Sequence, residues 1–496
     1  MTAIVRYLVG LSLVVLLGTP AAGDDDSVVD SLIKNGQYAQ AEALLRSRIT
    51  DPDAPVVGGP ARRLEVLRRT RRDFPLTATQ VLEDIRDSLP DAMADDIRAW
   101  TASGDLQHRT IDGQPRYFRR AASNLFRLNT EAKRRRDAHR AAAGKPPEKK
   151  FDLVGLAERV LQAAGDEGQP LVMPVRHRVT YTLSVKPSCQ SLRPGAVVRA
   201  WLPFPQAYRQ QGEVRLLGSR PEPTVIAPNG SPHRTVYYEL VLDNGEAPSF
   251  RLEFEFVTKA YCPNLNAGRV GPYDTGSDEY RRFTAEREPH IVFTPEVRRL
   301  VKEIVGDETN PLEKARLIFH WVSANLPWVG EMEYSIIPSL SAKGIATRCG
   351  DCGVQGMTFI TLCRAAGVPA RWQSGFGTKP GEEGMHDWSE FYVEPWGWLP
   401  ADASYGVLES KDPRVRDFFC GRMDPYRLIV NLDYARPLVP EKTSFRSEPN
   451  DFQRGEVEIG GANLYFDDWT YDLRVEAPRR AIRVRPRVGA PPGLLP

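Results

Sequence analysis

The chain has 496 residues, enough for roughly three domains of ordinary size. Hydrophobic residues make up 41% and charged residues 26%, so most of the chain can bury a core. Lys and Arg number 66 against 64 Asp and Glu, a net charge of +2, which excludes a highly basic nucleic-acid binder and an acidic solvating tail.

Residues 1–23 read as a cleaved secretory signal. Arg6 supplies the positive start, Tyr7 to Gly18 the apolar stretch, and Thr19-Pro20-Ala21-Ala22-Gly23 the small residues a signal peptidase needs. That apolar stretch is short for a bilayer span, so no stable membrane insertion is expected after cleavage. A secreted or periplasmic location follows. Six cysteines are too few for a disulfide framework, yet in an oxidising compartment Cys189 and Cys262 are candidates to pair.

Residues 24–165 read as a polar helical region. Asn35-Gly36 separates two helical stretches, and Ala141 to Lys150 is a linker. The basic clusters Arg62-Arg63, Arg68-Arg69, Arg71-Arg72 and Lys133 to Arg136 read as solvated helix faces, because Asp and Glu are interleaved. Residues 166–262 change to a period of two. Phe250 to Phe256 alternates apolar and charged residues, and Val175 to Val185, Ala196 to Leu202 and Thr235 to Leu242 also read as strands. A small β-sandwich is expected. Residues 263–445 form the next unit, in which Pro311 to Ala324 is a helix with Ala315, Ile318, Phe319 and Val322 on its apolar face. Residues 446–496 add a short β extension and an Arg/Pro-rich tail.

The chemistry concentrates in three segments. In Cys349-Gly350-Asp351-Cys352-Gly353, two glycines flank Cys352, and an amphipathic run of about four turns begins just after it and stops at Gly367 and Pro369. Cys352 is therefore expected at a helix N-terminus, where the macrodipole favours a thiolate. Cys363, further along the helix, reads as a small core hydrophobe. The second segment begins at His386 and reads as a strand, with Trp388, Glu390 and Tyr392 on the side of His386 and Phe391 and Val393 on the other. Glu394-Pro395-Trp396-Gly397 turns the chain, and Trp398 to Asp402 returns as the next strand. A hairpin brings Asp402 opposite His386, and an imidazole held by a carboxylate keeps the tautomer a thiol nucleophile needs.

Taken together, Cys352, the Arg364-to-Arg371 helix exit, His386 with Trp388 and Glu390, Trp398 and Asp402 resemble the transglutaminase-like superfamily of papain-like thiol enzymes. The resemblance implies an α+β core, preceded here by the β-sandwich and the helical N-terminal region. It also implies roles: Cys352 as nucleophile, His386 as general base and acid, Asp402 as orienting carboxylate. The implied reaction is acyl transfer or hydrolysis at a peptide or protein amide. The alternative is a catalytically inactive binding or scaffold protein of the cell envelope, which also uses this fold. The backbone N–H of Cys352 is a candidate oxyanion donor, with Trp328 and Tyr334 as side-chain candidates. The Cys349-x-x-Cys352 spacing would permit a disulfide that blocks the nucleophile. No cofactor and no metal are expected, and there is no calcium loop. The expected partners are a peptide or protein substrate and a protein that binds the helical region, with no nucleic acid.

Overall fold

A computed structural model describes residues 24–51, 56, 58–146, 150–476 and 479–480. The expected signal at 1–23, part of the linker at 147–149 and the end of the tail lie outside the described residues. Three large hydrophobic cores, with a small cluster of Trp388, Met423 and Ile429, organise the described residues.

The first core belongs to the N-terminal helices, from Asp24–Lys34 to Thr130–Ala142, with a hairpin of His108–Ile111 and Gln114–Tyr117 among them. The next helix, Leu153–Glu167, turns away from this group. Its Leu156, Ala157 and Val160 join the core built around Cys363 and Phe391. The Arg-rich helix Gly59–Asp73 differs from the solvated face expected of it. Arg69 is fully buried and donates to the carbonyls of Arg446 (2.8 Å) and Phe445 (3.3 Å), its guanidinium lying over the rings of Phe445 and Tyr465. Arg is suited to this: its planar cation stacks on aromatics and its donors satisfy stranded carbonyls.

The second core fills a sandwich of two antiparallel sheets. Phe250, Leu252, Phe254 and Phe256 are buried while Arg251 is exposed, as a period of two dictates. One sheet runs Gln211–Arg220, Ser249–Tyr261, Leu171–Val185, Trp469–Val475; the other centres on Val197–Pro203 and Thr235–Val241 and continues into Glu456–Ile459. The stretch beyond 445 therefore completes both sheets rather than standing as an extension. Glu458 pairs with Arg199 and Asp472 with Thr182, partners separated by hundreds of residues that local pattern cannot reveal. Cys189 and Cys262 are free thiols, so the pairing weighed for them is not formed.

The third core surrounds the helix Cys352–Ala365. It packs on a four-stranded antiparallel sheet ordered Gly397–Ala401, Gly384–Val393, Ala370–Gly377, Arg427–Asn431. The helix Pro311–Asn325 lies beside it, begun by Pro311 and capped by Asn310, whose side chain accepts from Leu312 and Glu313 N–H groups. Ala315, Ile318, Phe319 and Val322 form its buried face, as expected. The Cys352 helix differs from the amphipathic run read in the sequence: every residue from Gly353 to Arg364 is buried. Its threonines remain compatible because Thr358 and Thr361 donate to the carbonyls of Val354 and Met357, one turn back.

Candidate active site

Cys352 opens its helix. Asp351 is the N-cap, its carboxylate accepting from the Val354 N–H at 3.1 Å. The loop before it is anchored to the neighbouring segment Leu326–Val329. Val329 N–H donates to the Gly350 carbonyl, Gly350 N–H to Pro327, and the buried Gln355 side chain to Leu326 at 2.7 Å. Gly353 leaves room for Tyr334: a Cβ there would lie 2.0 Å from the Tyr334 hydroxyl and 2.9 Å from an Asp387 oxygen. That hydroxyl donates to Asp351 at 2.8 Å and stands 3.2 Å from Asp387.

His386 and Asp402 meet as the hairpin reading requires. Ser389 pairs with Ala401 across the hairpin, which sets Asp402 one residue beyond the ladder, and His386 Nε2 donates to Asp402 Oδ2 at 2.7 Å. The other carboxylate oxygen accepts from the Ser404 hydroxyl (2.7 Å) and the Ser404 and Tyr405 N–H groups. Arg427 reaches Asp402 at 2.8 Å while its other donors hold Asp424. Burial alone would raise Asp402, but His386 and Arg427 offset it and hold the carboxyl well below its usual range. Burial draws the His386 pKa down, Asp402 pulls against it, and Arg427 adds to the fall. With Nε2 committed to Asp402, Nδ1 keeps its lone pair. Tyr405 stacks on the imidazole at 4.9 Å, and Trp388 lies 5.9 Å away, held by Gln373.

Cys352 behaves differently from expectation. Its thiol donates to Asp387 Oδ2 at 3.5 Å, the residue next to His386, and among the described residues no hydrogen bond joins it to His386. The helix N-terminus does not prevail either. Burial pushes the thiol pKa well up, and the carboxyls of Asp387 and Asp351 push it further. Those carboxyls are themselves raised. Burial and the nearby Glu331 bring Asp351 to about 7, while burial, Asp451 and Asp351 bring Asp387 well above its usual range. The resting sulfur is thus a protonated thiol in an acidic cavity of about 130 Å³. Cys349 is also a free thiol, so the disulfide its spacing would allow is absent here.

Four contributors were not legible as site residues. Asp387 lies on the strand side of Phe391 and Val393, and a carboxylate at a core-facing position was the available signal. Gln453 crosses from the sandwich to donate to Asp387 (2.9 Å) and to the His386 carbonyl (3.0 Å). Arg427 and Tyr405 carried no local signal. The helical region also braces one wall of the cavity. Asn124 and Gly330 exchange hydrogen bonds of 2.8 Å, Arg119 pairs with Glu333 at 2.6 Å, and Arg127 lies over the Trp328 ring at 4.5 Å. These contacts fix the segment from Trp328 to Tyr334 that leads to Asp351.

Residues 298–403, which contain the thiol, the imidazole and the carboxylate, match the family model of the transglutaminase-like superfamily. Residues 298–403 form a transglutaminase-like core. An uncharacterized protein of Haemophilus influenzae is 29% identical over 249 residues, 42% of this chain and 64% of that protein. An uncharacterized Bacillus subtilis protein, YebA, is 26% identical over 129 residues, 22% of this chain and 17% of its own length. The chain thus spans less than two thirds of either relative. Among solved structures, a candidate cysteine protease of Cytophaga hutchinsonii aligns over 62% of this chain and 92% of its own, with 15% identity and a TM-score of 0.41. The periplasmic domain of TgpA from Pseudomonas aeruginosa aligns over 51% and 91%, with 14% identity and a TM-score of 0.24. Among the described residues no helix is long and apolar enough to cross a membrane.

Proposed function

We propose that the transglutaminase-like core is a thiol enzyme that forms an acyl-enzyme at Cys352 with amides of a peptide or protein. The observation that carries this reading is the buried His386–Asp402 pair, which leaves an imidazole lone pair beside the strand that faces the Cys352 helix. In the proposed cycle, Cys352 leaves Asp387 by rotation about its Cα–Cβ bond and passes its proton to His386 Nδ1. The sulfur then bonds to the amide carbon, with the backbone N–H of Cys352 as the candidate donor to the oxyanion. The amine leaves with the proton from His386, and a thioester remains. Water, deprotonated by His386, returns the thiol and a carboxylic acid; a primary amine in its place gives a new amide. Asp402 holds the imidazole tautomer and stabilises its charged form.

The thiol's hydrogen bond to Asp387 describes a resting state, since catalytic contacts often form only with substrate bound. The same hydrogen bond is what an inactive scaffold would retain, which makes that the second reading. A secreted or periplasmic setting and a polypeptide substrate accord with both. Incubation with a peptide library and a labelled primary amine separates the outcomes. Amine incorporation or cleavage, lost in Cys352→Ala and His386→Ala, supports the enzyme; neither product with the wild-type chain supports the scaffold.

A further inference from the structure

We propose that a basic cavity between the helix Pro311–Asn325 and the short helix Pro413–Arg416 binds a phosphate group. The cavity measures about 360 Å³ and is separate from the one holding Cys352. Four guanidinium groups reach it. Three have a carboxylate of their own: Arg316 with Glu313 at 2.6 Å, Arg414 with Asp412 at 2.7 Å, and Arg416 with Asp417 at 3.0 Å. Asp417 also takes His320 at 2.8 Å.

Arg422 is the exception. It is 5% exposed, its Nε is buried without a hydrogen-bond partner, and among the described residues no carboxylate is paired with it. Its polar contact is the Cys262 thiol, which burial raises and so keeps protonated. Guanidinium does not escape burial by losing its proton at working pH, so the cation stays and calls for an anion. The donors converge from separate parts of the chain: one long helix, one short helix and the segment after Cys420. A planar carboxylate matches one guanidinium fork, whereas a tetrahedral phosphate offers acceptors in several directions at once. His320 lines both this cavity and the groove of about 490 Å³ that runs past Trp328 and Tyr405. A ligand anchored here by its phosphate can therefore extend toward the cleft.

The test is calorimetric titration of the full chain with inorganic phosphate at fixed ionic strength, with chloride and acetate as references. Saturable phosphate binding is expected, weakened about tenfold or more in Arg422→Gln. Arg414→Gln and Arg416→Gln, whose side chains are 68% and 42% exposed, are expected to weaken it without the folding risk of a buried change. Arg299→Gln, exposed and paired with Glu303 elsewhere, should bind as the parent does. Acetate bound as tightly as phosphate, or phosphate affinity unchanged in all three cavity variants, overturns the assignment. Pelleting with vesicles of phosphatidylcholine and phosphatidic acid, but not phosphatidylcholine alone and not with the variants, assigns the phosphate to a lipid headgroup. Phosphate binding without pelleting assigns it to a soluble ligand.

Discussion

Asparagine at position 387 tests the electrostatics of the Cys352 thiol most directly. Asn keeps the shape of Asp, so Gln453 can still donate to the side-chain oxygen that it reaches at 2.9 Å. What disappears is the negative charge 3.5 Å from the sulfur. Fully ionised neighbours at about 4 Å interact by about 4 kcal/mol at an effective dielectric constant near 20, or about three pK units. Asp387 is itself pushed up by burial, Asp451 and Asp351, so that figure is the upper limit of its effect. A fall in the thiol pKa, by up to that amount, is therefore expected. The sign follows from charge: removing an anion favours the thiolate. The assay is the rate of iodoacetamide alkylation against pH, with thiolate absorbance as a second readout and Cys352→Ala as the blank. The midpoint should move to lower pH and alkylation near neutrality should quicken. A midpoint that stays in place or rises would refute the argument that carboxyl repulsion holds this thiol protonated.

The remaining predictions concern the imidazole, the packing and the ion pairs. Asp402→Asn should lower turnover by about 10²- to 10⁴-fold while the fold persists, measured as kcat against circular dichroism; turnover within twofold of wild type would remove Asp402 from the reading. Arg427→Gln takes a positive charge from beside His386, so the imidazole pKa should rise, which NMR titration of the ring protons can follow. Gly353→Ala forces Tyr334 off Asp351 and Asp387, and should cost about 1–3 kcal/mol of stability in denaturant melts. Glu333, held down to about 2 mainly by Arg454 and Arg119 against the opposing effect of burial, contributes stability that is complete above its unfolded pKa of about 4.5. That contribution, about 3 kcal/mol, should be lost as pH falls from about 4.5 to 2; Glu333→Gln should be weaker at neutral pH and lack that acid-dependent loss.

Local sequence determined more of this protein than its size suggests. Alternation at Phe250 to Phe256, the Asn310-Pro311 helix start and the hairpin from His386 to Asp402 all depend on residues close in the chain. Backbone geometry fixes their outcome: a period of two selects a face, a cap starts a helix, and a tight turn sets a register that brings Asp402 to His386. Tertiary structure decided what surrounds those residues. Arg427 reaches Asp402, Gln453 reaches Asp387, Asp451 adds to a carboxyl cluster started by Asp351, and Glu456–Ile459 returns to pair with Val197–Pro203. The sequence places the thiol at a helix start that should favour its anion; the fold sets it, half-buried, among carboxyls that reverse the preference. Through-space charge and burial follow distance and dielectric, not separation along the chain, and so they exist only once the distant segments have packed together.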